Sequence, residues 1–324
     1  MGTKHKKIVL LGEEIKPGKG AQLNLHVAQL HTHTPVQVPV IINRAFKDGP
    51  VVLLLAGMHG DEINGVEIVR RIIRKGWHKP KSGTIICIPV FNIFGFLNFT
   101  RVLPDGRDLN RSFPGTKNGS LASQFAYHFM KEVAPNVDYV IDFHTGAAKR
   151  SNYPQIRCVF RDEVSMELAH IFNPPFIINS SYISKSIRES LHKMGRKILL
   201  FEGGKADYMD EFVINEGIDG VKRVLQHLGM NDFKDAVIER KPVIIDSHKW
   251  MRSPNSGMFQ AFVQNGANVK RGEVLGMVTD PFGKIEKKIK ATQDGHIFCV
   301  NESPVVHKGD AIFHVGSELQ MENV

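Results

Sequence analysis

The amino-acid sequence predicts an α/β protein with a mostly parallel mixed sheet and helices on both faces, followed by a small, barrel-like all-β domain. Through Leu228, apolar strand-like runs alternate with segments whose apolar residues recur at helical spacing, which is typical of parallel strands joined by helices. Between Pro242 and Val315, short segments rich in valine and isoleucine are separated by glycines. We therefore predict two domains, at residues 1–235 and 236–324.

The elements of the first domain follow from its hydrophobic periodicity. Two strand-like segments, Gln22–Gln29 and Val36–Asn43, precede the continuous apolar run Val51–Ala56, which predicts a buried strand. The following predictions are a helix near Gly65–Lys75, a strand at Thr84–Val90, a helix near Ser120–Val133, a strand at Tyr139–Phe143, a helix near Ser184–Lys193, a strand at Ile198–Glu202 and a helix at Tyr208–Leu228. In such a sheet, ligands bind at the carboxyl ends of the strands.

Two of these strand ends carry residues that can bind a metal. His59 and Glu62 lie three residues apart in the turn between the strand at Val51 and the next helix, and His144 ends the strand that begins at Tyr139. Two histidines and one glutamate with an open fourth position form a ligand set of catalytic zinc sites. Taken alone, the pair of His59 and Glu62 is more simply interpreted as a surface or capping arrangement. Taken alone, His144 is more simply interpreted as a hydrogen-bonded loop residue.

The segment 101–115 contains Arg101, Arg107, Asn110 and Arg111 and has little periodicity, so we predict a loop. A solvated basic turn is the ordinary interpretation. The functional alternative is that one guanidinium group binds a substrate carboxylate through two hydrogen bonds while another polarises a carbonyl group.

Glu202 ends an apolar strand directly before two glycines. A carboxylate at that position is poorly placed for a core and well placed for a cleft at the sheet edge. The alternatives are a helix cap or an ion pair at the strand end.

Four motifs together resemble the succinylglutamate desuccinylase/aspartoacylase family of zinc-dependent amidohydrolases, which are relatives of the zinc carboxypeptidases. They occur in family order and cover residues from about 50 to 225: Gly-x-His-Gly-x-Glu at 57–62, Asp-Leu-Asn-Arg-x-Phe-Pro-Gly at 108–115, Asp-x-His at 142–144 and Glu-Gly-Gly at 202–204. The resemblance implies a zinc carboxypeptidase-like fold.

The resemblance also assigns roles to the metal-binding residues and their neighbours. It implies one zinc ion per chain, held by His59, Glu62 and His144. Glu202 matches the general base that activates the zinc-bound water, and Asp142 matches a carboxylate that orients a ligand imidazole.

For the loop, the resemblance implies that Asn110 and Arg111 bind the substrate carboxylate and that Arg101 polarises the scissile carbonyl group. Arg107 competes with Arg101 for the role of polarising the carbonyl group and is also a candidate for substrate binding. The loop is longer than in compact aspartoacylases. The implied activity is hydrolysis of the amide bond of an N-acyl amino acid or a similar acylated amine.

The sequence leaves other functions open. A carboxypeptidase-like peptidase or an esterase would use the same side chains, because one hydrated zinc attacks either carbonyl group. A catalytically silent zinc-binding protein is the rival from another class, and the complete ligand set together with Glu202 argues against it.

The amino-acid composition indicates the class of protein and its expected location in the cell. With 42% hydrophobic and 23% charged residues, the chain has the composition of a soluble globular protein, and no apolar stretch approaches the roughly 18 residues of a membrane span. Ile8–Leu11 is too short for a signal peptide, so we expect a cytoplasmic protein. Three scattered cysteines, Cys87, Cys158 and Cys299, are predicted to be buried thiols.

The net charge of +9 is spread along the chain without interleaved aromatic residues, which argues against nucleic-acid binding. A positive field is suited to attracting an anionic small-molecule substrate. The sequence leaves a homo-oligomer open.

The C-terminal domain contains an internal repeat. Residues 257–276 and 295–312 share a Gly-x-φ-φ start, where φ is apolar, and a later Val-x-Lys/Arg-Gly-Glu/Asp motif. This pattern resembles a lipoyl- or biotinyl-type hammerhead. Residues 280–284 are predicted to form a hairpin turn between the repeats, and they lack the methionine or acidic context of a modified carrier lysine. We therefore predict that this domain has a structural role.

Overall fold

The computed structural model describes residues 6–233 and 239–319, so the predicted domain boundary between residues 235 and 236 lies outside the described residues. Its strands are β1 (Val9–Leu10), β2 (Glu13–Glu14), β3 (Gly20–Gln29), β4 (Pro35–Arg44), β5 (Lys47–Leu55), β6 (Ser82–Ile88), β7 (Tyr139–Gly146), β8 (Arg150–Cys158), β9 (Phe176–Asn179), β10 (Lys197–Lys205), β11 (Val243–Arg252), β12 (Gly257–Ala261), β13 (Asn268–Val269), β14 (Val274–Thr279), β15 (Glu286–Lys290), β16 (Gly295–Asn301), β17 (Val305–Val306) and β18 (Ala311–Glu318). Its α-helices are α1 (Ile63–Arg74), α2 (Ile93–Asn98), α3 (Leu121–His128), α4 (Glu163–Phe172), α5 (Ile187–Lys193) and α6 (Glu211–His227).

Twelve strands form one sheet in the order β13-β16-β18-β11-β9-β8-β10-β7-β5-β6-β4-β3. Strands β6, β5, β7 and β10 are parallel neighbours at its centre. However, β3 and β4 are antiparallel to their neighbours, and β8 runs antiparallel to β10. The sheet is therefore mixed, as the sequence predicts, but it is not mostly parallel. One cause is that only residues 147–149 join β7 to β8, which is far too short for the crossover that parallel strands require.

Both faces of the central sheet are buried. Val51, Leu53 and Leu55 of β5 belong to one apolar core, which also contains residues of α3 and α5. Val52 and Leu54 point into a second core, which contains residues of α1, α4 and α6. A strand covered by helices on two sides must be apolar at successive positions, which explains the uninterrupted hydrophobic run in the sequence. Among the described residues, no helix is both long and apolar enough to cross a membrane.

A closed five-stranded barrel connects the early and late parts of the chain. Strand β8 pairs with β9, β9 with β11, β11 with β18, β18 with β16, and β16 again with β8. Its apolar interior includes Phe176, Ile245 and Phe298. The barrel expected within residues 236–324 therefore takes two of its five strands from residues 150–179.

The internal repeat has a counterpart in the backbone. Gly272 and Gly309 occupy equivalent positions in the two copies, and both have the left-handed backbone conformation, with φ of +89° and +93°. Strands β12 and β14 of the first copy lie in a separate four-stranded sheet, whereas β16 and β18 of the second copy lie in the barrel. Residues 280–284 form the turn of the hairpin between β14 and β15, as the sequence predicts.

His314 makes the barrel sensitive to acid. Burial and the neighbouring His248 lower the pKa of His314 to about 2, and its ring stacks on Trp250 at a centroid distance of 4.1 Å. Because the folded pKa lies below the unfolded value of 6.5, the unfolded chain binds a proton first, and stability is lost as pH falls below about 6.5.

Between pH 7 and pH 5, we expect the free energy of unfolding of the wild type to fall by about 2 kcal/mol more than that of His314→Phe. This figure follows from the usual 1.36 kcal/mol per pH unit below the unfolded pKa. Urea unfolding at both pH values measures this difference. His31→Phe, in an exposed turn, is the control. Identical pH dependence in His314→Phe and the wild type would contradict the prediction.

Candidate active site

The ends of two neighbouring strands, β5 and β7, meet at the site. His59 and Glu62 occupy the turn between β5 and α1, and this turn packs tightly, because a Cβ at Gly60 would lie 1.8 Å from a backbone atom of Gly95. His144 lies near the carboxyl end of β7, the parallel neighbour of β5. The predicted ligands are thus brought together from positions far apart in the chain.

The three side chains can hold a metal ion, since their ligand atoms lie within 4.8 Å of one another and all three residues are buried. His59 Nδ1 lies 2.8 Å from one oxygen of Glu62, and His144 Nδ1 lies 2.9 Å from the other. On the opposite side of each ring, Nε2 lies within hydrogen-bond distance of a second carboxylate. His59 Nε2 lies 3.1 Å from Asp108, and His144 Nε2 lies 2.9 Å from Asp142.

This arrangement fits a cation. If each Nε2 carries the proton that it donates to Asp108 or Asp142, both Nδ1 lone pairs face the carboxylate of Glu62, which is unfavourable unless a positive charge lies between them. Imidazole rings held from behind by carboxylates are the usual second layer of a metal site. Two imidazole nitrogens and one carboxylate are also a donor set that zinc accepts.

The charges of the three groups are strongly coupled. Burial opposes charge on each group, yet Glu62 and Asp108 raise the pKa of His59, and Asp142 and Glu62 raise the pKa of His144 well above its ordinary value. In turn, the histidines hold the pKa of Glu62 far below its ordinary value despite burial. The charge on each of the three groups therefore depends on the charges of the other two.

Of the two competing arginines, only Arg101 reaches this cluster. Its Nη1 lies 3.0 Å from Glu62 and 3.2 Å from His59 Nδ1, and its Nη2 donates to Asp108 at 2.9 Å. Arg107 does not line the pocket; its side chain is 58% exposed and pairs with Asp105 at 3.4 Å.

Asn110 and Arg111 both line the pocket. Asn110 Oδ1 accepts a hydrogen bond from the backbone N–H of Ile187 at 2.9 Å, so α5 fixes this side chain. Arg111 is exposed and donates to the backbone carbonyl of Asn110 at 2.7 Å. Its guanidinium group is therefore accessible to a ligand that enters the pocket.

Glu202 lies next to His144, because β10 and β7 are parallel neighbours with these two residues in register. Asn152 Nδ2 donates to Glu202 Oε2 at 2.8 Å, and Arg157 Nε lies 4.0 Å from Glu202 Oε1. The carboxylate and the metal-binding group share one pocket of about 430 Å³.

Thirteen of the residues that line the pocket are not among the predicted site residues, including six on strand β8, helix α5 and the C-terminal strands. Strand β8 and helix α5 provide polar ones, and the C-terminal strands provide two more: Arg150, Asn152, Arg157, Arg188, Trp250 and Cys299. The segment 150–158 alternates irregularly between polar and apolar residues and contains Pro154, so hydrophobic periodicity does not reveal a strand there. A concentration of arginines just after the His144 strand is the signal that could have drawn attention to it.

Comparisons with known proteins agree with this geometry. Residues 48–228 match the succinylglutamate desuccinylase/aspartoacylase catalytic domain. The chain is 26% identical over 293 residues to an N-alpha-acetyl-L-2,4-diaminobutyric acid deacetylase of Halomonas elongata, covering 86% of this chain and 84% of the relative.

Two solved structures share the fold. The product-bound ectoine utilization protein EutE (DoeB) from Ruegeria pomeroyi superposes with a TM-score of 0.83 at 22% identity, over 96% of this chain and 98% of that one. A succinylglutamate desuccinylase/aspartoacylase from Rhodobacter sphaeroides gives a TM-score of 0.81 at 21% identity, over 93% and 96%.

Proposed function

Because the chain belongs to the succinylglutamate desuccinylase/aspartoacylase family, we propose that it is a zinc-dependent hydrolase that cleaves the amide bond of an N-acyl amino acid or a similar acylated amine. The observation that carries this proposal is the buried group of His59, Glu62 and His144 beside Glu202 in one pocket. The similarity to a deacetylase of an N-acetylated amino acid supports the substrate class.

In this proposal His59, Glu62 and His144 hold one zinc ion per chain. Bound there, zinc would lower the pKa of a water molecule and polarise the carbonyl group of the substrate. Asp108 and Asp142 keep the two imidazole rings in the orientation and tautomer that binding requires.

Glu202 is the proposed general base. It removes a proton from the attacking water as the oxygen bonds to the amide carbon, and it delivers that proton to the departing amine nitrogen when the C–N bond breaks. The hydrogen bond from Asn152 restrains one oxygen of Glu202, which limits the rotation of the carboxylate.

Arg101 is the proposed partner of the developing oxyanion. Its contacts with Glu62 and Asp108 fix the guanidinium group beside the metal-binding atoms, where a preorganised donor stabilises charge that forms on the carbonyl oxygen. The exposure of Arg107 and its pairing with Asp105 make it the weaker candidate.

Asn110 and Arg111 are proposed to bind the carboxylate of the substrate.

We also propose a zinc carboxypeptidase-like arrangement of residues 1–235 and a mainly structural role for residues 236–324, whose strands complete the barrel.

We expect Arg111→Ala to lower kcat/KM for N-acetyl amino acids by about 10- to 100-fold, because a hydrogen-bonded charge pair is worth about 1.5–3 kcal/mol. Neutral N-acetyl amino acid amides should lose far less. Steady-state kinetics on both substrates measures the difference. The same change at Arg107 is the comparison: a selective loss there, with equal losses in Arg111→Ala, would transfer the role to Arg107.

Amine release from a panel of N-acyl amino acids tests the function itself. We expect zinc-loaded protein to release the free amino acid. Hydrolysis of peptides or esters without hydrolysis of any N-acyl amino acid would favour the peptidase or esterase alternative.

A further inference from the structure

Gln155 is a buried polar side chain to which the proposed mechanism gives no role. It lies on β8 and is fully buried, and neither its amide nitrogen nor its amide oxygen makes a hydrogen bond with a described residue. Buried polar atoms of side chains are nearly always hydrogen-bonded, because loss of hydration without a replacement partner is costly. A buried amide in this state indicates that a water molecule or a ligand is its partner.

The side chain of Gln155 lies on the same face of the sheet as that of Glu202. The two residues are directly opposite each other in the antiparallel strands β8 and β10, and opposite residues of such a pair point to the same side. The next residue, Ile156, points the other way, into the core that contains residues of α1, α4 and α6. Gln155 does not line the pocket, so its amide lies behind Glu202 and out of reach of the substrate.

Arg157 lies two residues further along β8, on this same face. Its Nε is buried without a hydrogen bond to any residue that the structure describes, and it lies 4.0 Å from Oε1 of Glu202. This distance is too long for a hydrogen bond, whereas two hydrogen bonds that meet at one water molecule span about 4 to 5 Å. The other oxygen of Glu202, Oε2, accepts a hydrogen bond from Asn152 at 2.8 Å. Oε1 is therefore the oxygen that a bridging water would reach.

We propose that Gln155 is a positioning residue that, together with Arg157, holds one ordered water molecule against Oε1 of Glu202. This water accepts a hydrogen bond from Arg157 Nε and donates one to Glu202, and the amide of Gln155 is its third partner. Three hydrogen bonds are the usual number for a buried water molecule. The water is distinct from the one that attacks the substrate. The proposal rests on the proposed function, because it takes Glu202 to be the general base.

The water restrains the half of the carboxylate that Asn152 does not. When only Oε2 is held, the carboxylate of Glu202 can turn about that contact, and when both oxygens are held its plane is fixed. A general base must lie within hydrogen-bond reach of the proton that it removes, and a small misplacement of a catalytic group slows the reaction. Because Gln155 acts behind Glu202, its loss should lower kcat and leave KM unchanged.

Gln155→Met tests this role, since it removes the hydrogen-bonding groups and keeps a side chain of similar size. With zinc-loaded protein and an N-acyl amino acid, we expect kcat to fall about 10-fold, as for loss of a hydrogen bond to a charged group, while KM and zinc content stay unchanged. The same substitution at Gln226, which is exposed in α6, is the matched control and should retain wild-type kcat. Wild-type kcat in Gln155→Met would overturn the proposal.

The double variant separates positioning of Glu202 from general damage to the pocket. If Gln155 acts through the carboxylate of Glu202, adding Gln155→Met to Glu202→Gln should slow the residual turnover by less than about 2-fold, because the group that it positions has already been removed. An equal loss of kcat in the wild-type and Glu202→Gln backgrounds would show that Gln155 supports the pocket as a whole, and this result would overturn the proposal.

A crystal structure of the zinc-loaded wild type, at a resolution that shows ordered water, tests the site without turnover and without a variant. We expect a water molecule within hydrogen-bond distance of the Gln155 amide, Arg157 Nε and Glu202 Oε1. If this water is present but the protein hydrolyses no N-acyl amino acid, the water site stands while the proposed function fails. If hydrolysis proceeds and no water lies between these three groups, the proposal is overturned while the proposed function stands.

Discussion

Replacing Glu202 with glutamine is expected to lower kcat on N-acyl amino acids by about 10²- to 10⁴-fold, the usual contribution of a general base. Glutamine retains the size of the side chain and an oxygen that can accept the hydrogen bond from Asn152, but it cannot take a proton from water. Because Glu202 is not among the three metal-binding residues, zinc content should stay near one per chain. Amine release in timed, quenched reactions measures kcat, and elemental analysis of the same sample measures zinc content.

The control is Glu163→Gln, an exposed residue in the first turn of α4. It should retain wild-type turnover. Near-normal turnover in Glu202→Gln would remove this carboxylate from the proton transfer, and loss of zinc from that variant would assign it a role in metal binding instead.

Replacing His144 with alanine is expected to have the second large effect, on metal content. Removal of an outer carboxylate partner commonly costs about 10- to 100-fold in metal affinity, so removal of a ligand itself should cost more. His144 also lies between Glu62 and Asp142, and its loss leaves two buried carboxylates without their shared imidazole partner. We expect zinc in the variant to fall well below one per chain, with loss of hydrolysis.

His170→Ala is the control, since this exposed histidine lies in α4 outside the pocket. Asp142→Asn provides an intermediate case, because it weakens the support of His144 without removing a ligand. Full zinc occupancy in His144→Ala would show that another residue completes the site.

The grouping of His59, Glu62 and His144 and the strands of the central sheet could be predicted from the sequence because their signals are local. A strand segment buried on both faces is apolar throughout, as in residues 51–55 of β5, and the residues that follow such segments at the sheet edge are exposed to the pocket. His59, His144 and Glu202 all lie at or just after the ends of such strands.

The β8 half of the pocket could not be predicted in this way. Arg150, Asn152 and Arg157 lie on a strand with mixed polarity, because it lines a polar pocket while forming a barrel wall. Trp250 reaches the pocket only because β11 pairs with β9 across a long separation in sequence. Neither periodicity nor a motif encodes such a pairing.

Titration of metal-free protein with zinc, with amine release measured at each step, tests whether hydrolysis depends on a single bound zinc ion. Hydrolysis of an N-acyl amino acid is expected to be absent at the start, to rise in proportion to added zinc and to level off at one zinc per chain. Hydrolysis at full rate in metal-free protein, or protein that binds no zinc at all, would contradict this expectation.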